Sequence, residues 1–323
     1  MIKVEAVFWL IGILFVAWAF LIARDTTHPK RWGSAAFWGL LGVCFFYGTW
    51  VQAGTAPPWI LGVAVLVLVT LASSGPLGDG KARSTSMAER AVSATRFGNR
   101  LFIPALVLPV VTVIIVLLAP VLKIGGQPIF DPTNTTLVAL AVGAVAAAVV
   151  AVVILRPKQK LTPIFEGRRI LESIGWAALL PQMLSTLGIL FTKAGVGTAV
   201  GTLAKGILPE GSLIAAVIVY SVGMFLFTVL MGNAFAAFPI MTAAIGWPVL
   251  VQGFHGNPAI IFAIGMLAGF CGTLCTPMAA NFNLVPAALL EMKNKYGVIR
   301  AQIATAIPLL GANTALMYFL AFN

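Results

Sequence analysis

Charge is what this sequence has least of. Only 9% of its 323 residues are charged, whereas 60% are hydrophobic, and the mean hydropathy is +1.02. A water-soluble domain carries about 25% charged residues, because its whole surface must be hydrated. A chain this poor in charge cannot cover a soluble fold, and it is too apolar to stay disordered. Its surface must face lipid.

Acids are the scarcer sign. The nine, Glu5, Asp25, Asp79, Glu89, Asp131, Glu166, Glu172, Glu210 and Glu291, lie in loops or near the ends of apolar runs. With none mid-span, proton coupling through this chain lacks an obvious carrier. Histidine is limited to His28 and His255, the latter read as a loop residue, and cysteine to Cys44, Cys271 and Cys275. The cysteines sit in apolar runs with no disulfide framework or zinc spacing, so they are read as packing thiols. A phosphate-binding Gly-x-x-x-x-Gly-Lys-Ser/Thr loop, a His-Glu-x-x-His zinc motif and a Gly-x-Ser-x-Gly elbow are all missing, so no catalytic set is visible and an enzyme is not expected.

What is present is a series of apolar runs near 20 residues long, the length that crosses a hydrocarbon core. The first five cover 4–23, 33–51, 58–73, 101–122 and 137–155. Trp32, Trp38, Trp50 and Trp59 near their ends suggest an interfacial aromatic belt. Loops after runs one, three and five are basic, carrying Arg24, Lys30 and Arg31, then Lys81 to Arg100, then Arg156 to Arg169; those after two and four are not. This alternation places the basic loops in the cytoplasm and the N-terminus outside. The net charge of +11 therefore reads as topology and lipid contact rather than nucleic-acid binding. Residue 4–23 reads as a retained helix, because the basic cluster follows it. The polar stretch 74–100 is the best candidate for a boundary, giving segments 1–100, 101–172 and 173–323.

Beyond 173 the runs are interrupted. The expected class is all-α, a polytopic membrane protein with roughly nine to eleven membrane segments, some broken or re-entrant. One interrupted segment runs from Gly232 through Asn233 and Pro239; the other contains Gly272, Thr273, Thr276, Pro277, Asn281 and Asn283. Gly232, Pro239, Gly272 and Pro277 are the expected helix breaks. A break at membrane depth frees backbone N–H and C=O groups, which is tolerated only where protein or a water-filled cavity lines it. Transporters place solutes and ions at such breaks. Asn233, Asn281 and Asn283 offer amides, and Thr228, Thr273 and Thr276 offer hydroxyls, that suit a small organic acid. Ser185 and Thr186, after Pro181, belong to a third candidate break. The bland reading is that such polar side chains only bridge neighbouring helices.

Thr186-Leu187-Gly188, Met231-Gly232-Asn233-Ala234-Phe235-Ala236-Ala237-Phe238-Pro239 and Cys275-Thr276-Pro277-Met278-Ala279-Ala280-Asn281-Phe282-Asn283 resemble domain-of-unknown-function family 979. The broken-segment layout is more distantly similar to the ion-transporter superfamily, with its re-entrant hairpins. The resemblance to family 979 implies one subunit of a 5-oxoproline (pyroglutamate) transporter, with a smaller membrane partner subunit and a carboxylate substrate. It carries no binding-residue list, so the site residues above rest on their own chemistry.

The expectation is thus a secondary-transporter subunit for a small organic anion in the bacterial inner membrane. The competing expectation is a structural or channel-like subunit whose partner holds the substrate. No cofactor is expected; a sodium ion held by carbonyls, hydroxyls and amides stays open as the coupling ion.

Overall fold

Lipid offers no hydrogen bonds to a backbone, so an apolar chain must satisfy its peptide groups internally, and helices do this within one segment. A computed structural model describes residues 1–75, 77–78, 80, 85–157, 159, 161–207, 209, 211–290 and 292–322; the side chains of Met87, Pro181, Leu184, Ser185, Ala204, Lys205 and Ile207 lie outside the description. The described chain is helical almost throughout, and its one sheet is a two-stranded hairpin. Seven of the described helices are long and apolar enough to cross a membrane, or eight if a bent pair counts as one span. Two shorter apolar helices are 15 and 17 residues long. The protein is an all-α, multi-pass membrane protein.

Two compact units divide the chain, Met1–Glu172 and Ser173–Asn323. In the first, α1 (Val4–Arg24) and α2 (Arg31–Gln52) form an antiparallel hairpin. Its seam is aromatic: Trp9 packs on Phe46, and Phe15 stacks on Trp38. Trp38 is fully buried there, unlike Trp32, Trp50 and Trp59, which are exposed. α3 (Trp59–Ser73) follows.

The polar stretch after α3 lies inside the first unit. It also contains a helix, α4 (Met87–Phe97), started by a reciprocal capping box between Ser86 and Glu89. A short 3-10 turn, Gly98–Leu101, leads into α5 (Phe102–Leu118). Then come β1 (Lys123–Ile124) and β2 (Gln127–Pro128), joined by Gly125 and Gly126, whose positive φ angles of 59° and 79° suit a tight hairpin turn. α6 (Thr135–Leu155) packs against α5, and α7 (Thr162–Ile174) occupies most of the second basic loop.

The loops sort to two ends of this unit. Arg168 on α7 donates from Nη2 to Asp25 Oδ2 and from Nε to Glu172 Oε1, both at 2.7 Å. The Gly80 N–H donates to Glu172 Oε2 at 2.9 Å, and Thr85 donates through its N–H and hydroxyl to Glu166 Oε1. The basic loops after runs one, three and five therefore meet on one side. At the opposite end of α1, Ile2 pairs with Phe130, and its N–H donates to the Ile129 carbonyl at 2.6 Å. The N-terminus and the fourth link thus share the other side.

The second unit opens with a 3-10 turn, Gly175–Leu179, and α8 (Leu180–Lys193). α9 (Val196–Ile207) and α10 (Leu213–Met231) follow, then α11 (Ala234–Met241), which continues as a π-helix, Thr242–Gly253. α12 (Pro258–Leu274), α13 (Ala280–Leu289) and α14 (Gly297–Ala321) complete it. Its core centres on Tyr220, Met224, Ile245, Ile261 and Met317.

Candidate functional site

The site is set by the pairing of α10 with α12. Glycine on α12 faces bulk on α10: a Cβ at Gly265 would lie 2.6 Å from the Tyr220 ring, one at Gly269 2.9 Å from Met224 Cε, and one at Gly272 3.0 Å from Thr228 Cβ. Small residues at this spacing let membrane helices approach closely. The order of the contacts makes the two helices parallel, so both reach their breaks at the same level.

The first break is a reversal. Gly232 ends α10 with φ +77°, a left-handed conformation that favours glycine. Asn233 then starts α11, its Oδ1 accepting from the Phe235 N–H at 2.8 Å. α11 runs back along its neighbours, with Phe235 against Phe270 and Phe238 against Phe262. Together α11 and its π continuation make a 20-residue candidate span, Ala234–Gly253. Pro239 is therefore not a break. It removes one backbone donor, and the helix widens into π-turns at Thr242 instead of ending.

The second break is real but shifted. Gly272 lies inside α12, serving the contact with α10, and the chain breaks over residues 275–279 around Pro277. α13, at 10 residues, is about 15 Å long. That is half the roughly 30 Å of a hydrocarbon core, so this helix does not span.

The two breaks are bolted together. The Thr276 hydroxyl donates to the Val229 carbonyl at 2.8 Å, and a Cβ on Gly232 would sit 2.5 Å from the Met278 carbonyl carbon. Asn283 closes the second break from α13, its Nδ2 donating to the carbonyls of Thr273 at 2.9 Å and Thr276 at 2.6 Å. Thr228, Thr273, Thr276 and Asn283 are all buried. Asn233 is half-buried, and Asn281 is exposed in the first turn of α13. That N-terminus has no side-chain cap; its Phe282 and Asn283 N–H groups donate to the Ala279 carbonyl, and those of Ala280 and Asn281 have no partner among the described residues.

The third candidate break falls elsewhere. α8 runs unbroken through Ser185 and Thr186, and the chain bends by 66° between Thr186–Lys193 and Val196–Leu203. The bend is at Ala194 and Gly195, where φ is +72°. Thr186 is exposed and returns its hydroxyl to the Gln182 carbonyl; the Ser185 side chain lies outside the described residues. Gly188, Gly197 and Gly201 carry the bent pair along Ala236, Ala243 and Ala244, so glycine here serves packing as well as turning.

Sequence reading missed a buried ionic knot in the first unit. The side chains of Arg168, Glu172 and His28 are at most 4% exposed. His28 Nδ1 accepts from the Lys30 N–H, which leaves Nε2 to donate to the Gly78 carbonyl at 3.0 Å. The available signal was Arg168 and Glu172 at i, i+4 on a helix. Outside the spans, burial by itself raises the Asp25 carboxyl, but hydrogen bonds from Thr27 and Arg168 outweigh it and hold the group below its ordinary value. Glu166 is likewise raised by burial and lowered, on balance, by Thr85 and Arg169. Asp131 is held at about 2 by the hydroxyl of Thr133 and the side chain of Asn134.

Among the described residues, no cluster of three or more His, Cys, Asp or Glu could hold a metal ion. No curated protein and no solved structure matches this chain. The pattern that tied the interrupted segments to one family extends across the sequence: the chain belongs to the family described as protein of unknown function (DUF979), whose model matches residues 5–322.

Proposed function

We propose that this protein is a subunit of a secondary transporter that imports a small organic anion, 5-oxoproline being the substrate that the family resemblance favours. The observation that carries the reading is the meeting of two helix breaks, Gly232–Asn233 and residues 275–279, on parallel helices. Broken helices gathered at one level supply unpaired backbone groups and positive helix N-termini, the features transporters use to hold carboxylates. The exposed Asn281 beside the uncapped start of α13, with Asn233 at the start of α11, supplies amide donors for a carboxylate and a lactam. The basic side of the first unit faces the cytoplasm, the N-terminus lies outside, and the membrane is the bacterial inner membrane. A smaller membrane subunit works beside this one.

A second reading has its own support. Thr276 and Asn283 already spend their donors on backbone carbonyls of the second unit. That suits a scaffold or channel-like subunit whose partner carries the substrate.

Uptake of labelled 5-oxoproline, measured in cells with this chain alone, with its partner, and with neither, tests both. Uptake that requires this chain and falls at least tenfold in Asn281→Ala, with membrane levels unchanged, supports the first reading. Full uptake by Asn281→Ala and Asn233→Ala moves the substrate to the partner. No uptake in any combination, with both chains in the membrane, removes 5-oxoproline.

A further inference from the structure

Two buried side-chain oxygens, one on α10 and one on α13, have no partner among the described residues. Asn283 is 0% exposed, and its Oδ1 meets no donor. Its orientation is not arbitrary. Both neighbours of the other fork are carbonyl oxygens, so the nitrogen must face them and the oxygen must face away. Thr228, also 0% exposed, has an unpartnered Oγ1. It faces the bare backbone of α12, where a Cβ on Gly269 would come within 3.3 Å of that oxygen. A buried acceptor left alone costs about 1–3 kcal/mol, so each of these oxygens calls for an occupant.

The surroundings select its charge. Both α10 and α12 end here, and a helix C-terminus concentrates partial negative charge. Of the free carbonyls at the end of α10, Thr228 serves the Gly232 N–H and Val229 serves Thr276; those of Leu230 and Met231 have no partner among the described residues. The sequence puts no Asp or Glu within these helices. Neutral oxygens without a carboxylate suit a monovalent cation; a divalent one is held by carboxylates.

We propose that the last two turns of α12 hold a sodium-sized monovalent cation, with Asn283 Oδ1 and Thr228 Oγ1 as side-chain ligands and free carbonyls of the α10 terminus completing the shell. The cation neutralises two converging helix C-termini and fixes the level at which the breaks meet. The proposal rests on the transporter reading only in assigning this ion the coupling role; the site itself stands on the unpartnered oxygens.

Thermal unfolding of the purified full-length protein in detergent tests it, in sodium, lithium, potassium or choline chloride at constant ionic strength and without organic anion. The expected result is a saturable rise in Tm with sodium that choline does not give. Thr228→Val, which keeps shape and removes the oxygen, raises the half-saturating sodium concentration at least tenfold, and Thr228→Ser restores it. Equal Tm in all four salts, as a site filled by water alone would give, overturns the proposal, as does a Thr228→Val protein that responds like the wild type. Because no transport is measured, sodium-independent uptake by a protein that binds sodium rejects the coupling role alone.

Discussion

A side chain at Gly232 would meet the backbone of Met278, 46 positions later: a Cβ placed there lies 2.5 Å from both the carbonyl carbon and oxygen of that residue. The contact locks the reversal after α10 to the turn after α12. Gly232→Ala combines a left-handed non-glycine residue, about 1–2 kcal/mol, with overpacking of about 1–3 kcal/mol. A loss of roughly 2 kcal/mol or more is expected, read as a fall in Tm of the detergent-solubilised protein. Gly48→Ala, where a Cβ meets nothing within 4 Å, serves as the control and keeps the wild-type Tm or raises it.

The hydroxyl of Thr276 is the only side-chain hydrogen bond among the described residues that runs from the α12–α13 turn to α10. Thr276→Val retains volume and removes it, at an expected cost of about 0.5–1.5 kcal/mol. Thr276→Ser should stay near the wild type. If valine and serine variants unfold together, the bond contributes nothing.

Arg168 is expected to be the costliest charge to remove. Arg168→Leu leaves Asp25 and Glu172 without their guanidinium while Glu172 remains buried, and breaking one side of a buried ion pair costs about 3–5 kcal/mol. Poor recovery of monodisperse protein, with rescue by the paired change Arg168→Leu and Glu172→Leu, would locate the cost in the stranded acid. Equal recovery of the single variant and the wild type would exclude it.

Asp131 gives a pH dependence. Its pKa falls from 3.8 to about 2 on folding, so the folded state favours the ionised form. The stability it contributes is complete above about pH 4 and is lost as pH falls towards 2. Asp25 and Glu166 are lowered too and act in the same direction. Asp131→Asn should flatten the acid side of a Tm-against-pH curve and leave neutral pH comparatively unaffected by further acidification; an unchanged slope between pH 4 and 2 contradicts this.

The ends of the first unit predict labelling. In a background without Cys44, Cys271 and Cys275, cysteines at Thr27 and Gln159 should react with an impermeant thiol reagent from one side of the membrane. Cysteines at Gly54 and Gly126 should react from the other. Thr27 and Gln159 labelled from opposite sides would break the arrangement of Asp25, Arg168 and Glu172.

The breaks were legible because Gly232, Asn233 and Pro277 are rare company within apolar runs, and glycine at a positive φ or a missing proline donor acts locally. Pro239 and Gly272 were misleading for a matching reason. A proline can be absorbed where a helix widens into π-turns, and a glycine can serve a neighbour's bulk, as Gly272 serves Phe225 and Thr228. Both outcomes depend on what packs outside the segment. Helices α4 and α7 were hidden inside stretches read as loops, although Ser86 and Glu89 already spelled the cap of the first.

By itself the sequence determined that this chain lives in a membrane as a bundle of helices, since hydropathy and the hydrogen-bond demand of lipid act on each segment alone. It also determined which loops share a side, because basic residues alternate along the chain. Only the tertiary structure decided that α10 and α12 run parallel, so that Gly232 meets Met278 and Thr276 reaches Val229. It alone buried Arg168 between Asp25 and Glu172. Those relationships join residues tens to more than a hundred positions apart, where close packing and the pairing of buried charge, rather than any local preference, set the partners.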